Sequence, residues 1–218
     1  HRKRCRVNTD HLIRALVADN GAPQRSLGRW MASSLALGFA GATLLFAWKV
    51  KPRPNLAAVA TEPRFWLKFV VTLSLAAAAM GLLLRLLRPG VRAGLWAAAL
   101  LVAPSLLAIG VMVELVSMPA AAWEARMLGS NSRYCLTTIP LLAAPMLAAL
   151  FLVMRDGAPM RPALAGAVAG LVAGALGAAL YAAHCPDDSP LFVMAWYSLA
   201  IGMVTALGSF AGWRLLRW

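Results

Sequence analysis

Cys135 and Cys185 are two of only three cysteines in the 218-residue chain, and Cys185 lies in a polar island, HCPDDSPLF (184–192), between two of its most apolar runs. His184, Cys185, Asp187 and Asp188 gather soft and borderline metal-ligand types within a few positions, and Cys135 supplies a second thiol if the fold brings it near. Two thiols and one imidazole are an incomplete set for a closed structural zinc, and no CxxC occurs. No permanent cofactor is therefore expected. The inventory fits a transient two-thiolate clamp for a soft ion such as Cd²⁺ at Cys135 and Cys185, or two thiols open to an oxidant, with His184, Asp187 and Asp188 as weaker ligands. Which chemistry operates depends on thiolate character, which a sequence does not show. A structural disulfide and a pair of inert thiols stay open as alternatives. Pro186, Pro190 and the two aspartates also make a turn, and His184 alone reads as an interfacial polar residue.

The elements that must position these residues are apolar. The chain is 61% hydrophobic and 13% charged, with a mean hydropathy of +0.71, against roughly 45–50% and roughly 25% in soluble domains. It is read as an all-α, polytopic membrane protein. The formal charge of +13 punctuates apolar runs as membrane topology requires, so no direct nucleic-acid partner is expected. No P-loop, HExxH or nucleophile–base pairing appears, and no enzymatic activity is expected.

Apolar runs of roughly 20 residues, each long enough for a hydrocarbon core of roughly 30 Å, are predicted at 30–48, 66–87, 94–115, 135–154, 162–184 and 190–213. This divides the chain into an N-terminal segment, 1–29, and a bundle of six transmembrane helices, 30–218. With the N-terminus inside, 14 of the 21 Lys and Arg residues fall on the cytoplasmic side, so both termini are expected there. Cys135 and Cys185 then share the external face, which in a Gram-negative cell is the oxidising periplasm.

Within the spans, Gly166, Gly170 and Gly174 form a small-residue stripe suited to close helix packing. Pro104, Pro140 and Pro145 are expected to kink or break spans three and four. Glu114 is expected at the outer end of span three, reaching the interface and solvent, and is a functional candidate as an ionisable group near hydrocarbon.

Residues 8–20 read as a short amphipathic helix. Asn8, Thr9 and Asp10 offer N-cap side chains, Leu12, Ile13, Leu16 and Val17 form the apolar face, Asp10, His11, Arg14 and Asp19 the polar one, and Gly21 with Pro23 ends it. Two acidic groups weaken a reading as a helix lying on anionic lipid. The other reading is a helix docked in a partner's groove. Residues 1–6, ahead of Val7, a residue that a GTG start codon would encode internally, are expected to be upstream read-through; without their four basic residues the net charge falls from +13 to +9.

The order of these elements resembles the NrsF family of bacterial anti-sigma factors, six-span inner-membrane proteins that restrain an extracytoplasmic-function sigma factor. The resemblance rests on NTDHLIRALVADNGAP at the start, on RYCLTTIPLLAAPMLAAL around Cys135 and on RDGAPMRPALAGAVAGLVAGALGAALYAAHCPDDSPLFVMAWYSLA through Cys185. It covers 7–218, with HCPDDSPLF its most specific part. It implies that the cytoplasmic segment bearing Asp10, Leu12, Ile13, Leu16, Val17 and Asp19 holds the sigma factor away from RNA polymerase. It further implies that Cys135 and Cys185 detect heavy metals or an oxidant and trigger release. A small metal or solute transporter is the alternative function, against which stand the lack of an ionisable relay across the spans and of visible inverted repeats.

Overall fold

The computed structural model describes residues 27–88, 94–155, 157 and 159–216, together with Thr9, Asp10, Ile13, Arg14 and Val17. Six helices are long and apolar enough to cross a bilayer: α1 (Leu27–Val50), α2 (Pro63–Leu86), α3 (Leu95–Ser117), α4 (Ser132–Met154), α5 (Pro162–Ala182) and α6 (Pro190–Leu215). No strand forms among the described residues. The chain is an all-α membrane protein, and the helices match the apolar runs to within a few residues.

The boundaries have local causes. Proline opens α2, α5 and α6 in the first turn, where its missing N–H has no helical partner to lose. The end of α1 is a π-helical turn, Phe46–Val50, closed by Lys51 at a φ of 62°. The first helical stretch of α3 stops at Ala99 and a second starts at Val102, with Pro104 in its first turn, so the interruption predicted from that proline falls just ahead of it. Pro140 and Pro145 behave otherwise: α4 runs unbroken through both. Its proline-bearing half is supported from outside by α1. A Cβ on Gly38 would meet Met146 Cα and the Pro145 carbonyl at 2.9 Å, and Ser34 Oγ donates to the Ala149 carbonyl at 2.7 Å. Close packing of this kind is how neighbouring helices carry a proline inside a membrane span.

At the centre stands α5, the most buried helix, flanked by α6, α2 and α4, while α1 lies on α4. Its alanine and glycine surface is what allows this. Gly166 meets the Gly208 carbonyl and Gly212, Gly170 meets Val204 and Thr205, and Gly174 meets Val204 and Ile201, all on α6. Among the described residues three apolar clusters fill the bundle, the smallest around Ala42, Met146 and Val204. Of the two larger, one, around Met31, Leu83, Leu150 and Met154, fills the end where α1 begins. The other, around Cys135, Ile139, Tyr181, Cys185, Phe192 and Tyr197, fills the opposite end.

In the N-terminal segment, Thr9, Asp10, Ile13, Arg14 and Val17 are helical. Ile13 is 51% and Val17 69% exposed, so these two apolar side chains are not buried against the other described residues. Leu12, Leu16 and Asp19 lie outside the described residues.

Candidate functional site

Antiparallel alternation brings the ends of α1, α3 and α5 and the starts of α2, α4 and α6 to one end of the bundle, and the 183–189 connection crosses their middle. Cys135 sits in the first turn of α4 and Cys185 just beyond α5. Both thiols are free and fully buried within one cluster. The Cys185 thiol donates to the Asp187 carbonyl at 3.8 Å. The buried hydroxyls of Tyr181 and Tyr197 have no hydrogen-bond partner among the described residues. Tyr197 ends a π-helical turn, Val193–Tyr197, a local irregularity that often marks functional sites. Burial pushes the Cys185 thiol above its ordinary pKa, and the nearby Lys68 ammonium only partly opposes this.

Each polar residue of the 183–189 connection is engaged with a different neighbour. The His184 ring lies 2.8 Å from the Lys51 carbonyl through Nδ1, so that nitrogen carries a proton to donate. The ring also packs beside Tyr134 and Tyr181. The Asp187 carboxylate accepts from the backbone N–H groups of Ser130 and Asn131 at 3.0–3.2 Å, just ahead of α4, where negative charge is favoured. Asp188 pairs with Arg53 at 3.0 Å and with Lys68 at 2.6 Å; the Lys68 contact is a close charge pair lying off the axis of a hydrogen bond, since Oδ1 has no aligned donor. The same two cations donate to the Cys185 carbonyl, Arg53 Nη1 at 3.1 Å and Lys68 Nζ at 3.0 Å. Ser189 Oγ donates to Glu114 Oε2 at 2.7 Å, and the Leu191 N–H donates to the same oxygen at 3.2 Å.

Glu114 therefore corrects the sequence reading. It is 1% exposed and does not reach solvent, because its carboxylate seats the N-terminus of α6, whose second residue offers an otherwise unpaired N–H. Arg64 approaches it at 3.9 Å, too far for more than a weak charge contact.

The structure thus gathers Cys135, Cys185, His184, Asp187 and Asp188 at one end, with the aspartates and the imidazole occupied by protein partners. Among the described residues, no three His, Cys, Asp or Glu side chains form a set able to hold a metal ion. Gly166, Gly170 and Gly174 lie along α5, and Asp10, Ile13 and Val17 in the N-terminal helix. Sequence reasoning missed Arg53 and Lys68. A lysine six residues into an apolar span was the available signal, because such a charge needs a partner.

The profile of the NrsF family, negative regulators of sigma F, matches residues 16–218. The chain belongs to the NrsF family. Two relatives agree along their whole lengths: the probable anti-sigma-F factor NrsF of Azospira oryzae is 35% identical over 215 residues, and the anti-sigma-F factor NrsF of Caulobacter vibrioides is 36% identical over 219, each alignment covering 97% of this chain and all of the relative. No solved structure matches. The NrsF-family match takes in both cysteines, the 183–189 connection and all six spans.

Proposed function

We propose that this NrsF-family chain is an anti-sigma factor of the bacterial inner membrane. It sequesters an extracytoplasmic-function sigma factor through the helix at 10–19 and releases it when Cys135 and Cys185 meet a soft metal ion or an oxidant. The observation that carries this reading is the family match across 16–218. The distribution of Lys and Arg supports cytoplasmic termini, with the thiol end of the bundle on the external side.

Two features of the structure support the division of labour. Ile13 and Val17 present apolar surface that the bundle does not cover, as a helix awaiting a groove would. At the other end, two free thiols share one cluster, and a soft cation held between them would displace their protons and so couple binding to local charge. A transport role finds less support. Among the described residues the buried charged groups Arg53, Lys68 and Glu114 all lie at the thiol end and are engaged there, and the cavity of about 410 Å³ between α2, α3, α5 and α6 has apolar walls, including Val71, Leu75, Leu107, Val193 and Ile201.

The test is co-purification of the full chain, in detergent, with the sigma factor encoded beside its gene. The complex is expected with the native chain and lost on Leu16→Asp, which puts a charge into the apolar face. Absence of a complex with the native chain defeats the proposal.

A further inference from the structure

The thiols are buried, so a reagent reaches them only if something opens, and the contacts around Cys185 show what must give way. Its carbonyl accepts from Arg53 Nη1 and Lys68 Nζ, and both cations also pair with Asp188, three residues on. The result is a closed polar ring of two cations, one carboxylate and the backbone of the thiol residue itself. The side chains of Lys68 and Arg53 are 1% and 5% exposed, and both cations lie over the Phe65 ring, at 5.6 Å and 5.2 Å. Such charges tolerate burial only while their counter-ion stays in place. Asp188 is the carboxylate that pairs with both of them and the one that belongs to the thiol connection.

We infer that Asp188, gripped by Arg53 and Lys68, is a positioning residue that latches the Cys185 connection over the paired thiols and sets how often they open to reagents. The latch ties the connection to two elements at once, since Arg53 follows α1 and Lys68 belongs to α2. Moving the Cys185 backbone breaks contacts to both cations, and withdrawing Asp188 strands both. The two events are one transition. Other contacts of the connection do different work: Asp187 holds the start of α4, Ser189 and Leu191 seat on Glu114 at the start of α6, and ahead of the thiol residue the Ala183 carbonyl and the His184 ring meet the Arg53 N–H and the Lys51 carbonyl. Asp188 is the aspartate whose partners also grip the thiol residue.

The inference rests on the thiols being the responsive groups, as proposed above, but its test requires no sigma factor, so the two readings fail separately. The full chain in detergent is reacted with a water-soluble maleimide, and modification of Cys185 is followed by peptide mass mapping. Asp188→Asn is expected to raise the rate more than tenfold, while Asp188→Glu, which keeps the charge, stays closer to the native rate. Each variant's cooperative thermal transition is recorded alongside, so that local opening is separated from loss of the fold. Arg53→Gln serves as a second variant that leaves the Lys68–Asp188 pair intact, and a smaller rise is expected. Native rates in both Asp188→Asn and Arg53→Gln, or equal acceleration in Asp188→Asn and Asp188→Glu, overturn the latch.

Discussion

Cys185 combines two properties that pull against each other in a reactive residue: it is fully buried, and it carries a thiol that reacts as the anion. Burial raises its pKa, so the folded chain keeps the proton where the unfolded chain, with an ordinary thiol value of about 8.5, has begun to give it up. The sign of the linkage follows. This contribution to stability is fully present below the ordinary thiol value and is lost as pH climbs through the raised folded value. Melting temperatures measured in detergent between about pH 7 and 10 are expected to fall more steeply for the native chain than for Cys185→Ser; parallel slopes contradict it. Of this residue's surroundings, the sequence showed the immediate chain neighbours and not the cations. Arg53 and Lys68 stand 132 and 117 positions from Cys185, and no periodicity links a residue after one span to a loop four spans later. Glu114 was misread for a related reason. Its place near a span end suggested solvent, whereas its environment is set by Ser189 and Leu191, 75 and 77 positions further along the chain.

The elements were the most legible part, because a bilayer demands one pattern: an apolar run of the right length with polar interruptions. What that pattern omits is irregularity inside the helices. The π-helical turns at Phe46–Val50 and Val193–Tyr197 leave no mark on hydropathy, and α4 continues unbroken through two prolines, with α1 packed against the stretch that holds Pro145. The glycine stripe was visible on α5, while its partner surface on α6, Gly208 and Gly212, emerged only from the packing. That packing separates glycines that matter from one that does not. A Cβ on Gly170 would stand 2.5 Å from the Val204 carbonyl oxygen and 2.9 Å from Thr205 Cα, both backbone atoms that cannot swing aside, whereas Gly202 has nothing within 4 Å. Gly170→Val is expected to destabilise the bundle by at least the 1–3 kcal/mol typical of overpacking, roughly. Gly202→Ala is expected to be neutral or to gain about 0.5–1 kcal/mol from the lost flexibility of glycine. Thermal unfolding of the two variants side by side reads the difference, and a Gly170→Val transition as high as the native one would mean that α5 and α6 are not in close contact.

At the scale of the molecule, the thiols and the start of α1 lie at opposite ends of the bundle, and under the proposed function a signal between them must travel through closely packed helices. The proposed function places no contact between ligand and sigma factor. Release then requires that the state reached after thiol chemistry bind the sigma factor less well than the resting state does, and a tenfold change in affinity needs only about 1.4 kcal/mol. Cys135 and Cys185 sit where such an input reaches several elements: one opens α4, and the backbone of the other is held by Arg53 after α1 and Lys68 of α2. Among the described residues the sulfur atoms make no strong hydrogen bond that the resting fold depends on; Cys185 makes a long thiol donation to the Asp187 carbonyl at 3.8 Å. Under the proposed function, sensing is therefore expected to be separable from retention. In cells carrying Cys135→Ser and Cys185→Ser together, transcription from the sigma factor's promoters is expected to stay as low as with the native chain before stress, and to stay low after cadmium or an oxidant is added, where the native chain permits a rise. High transcription before stress would make the thiols part of the restraint itself, and an unchanged rise after stress would move the sensor elsewhere in the molecule.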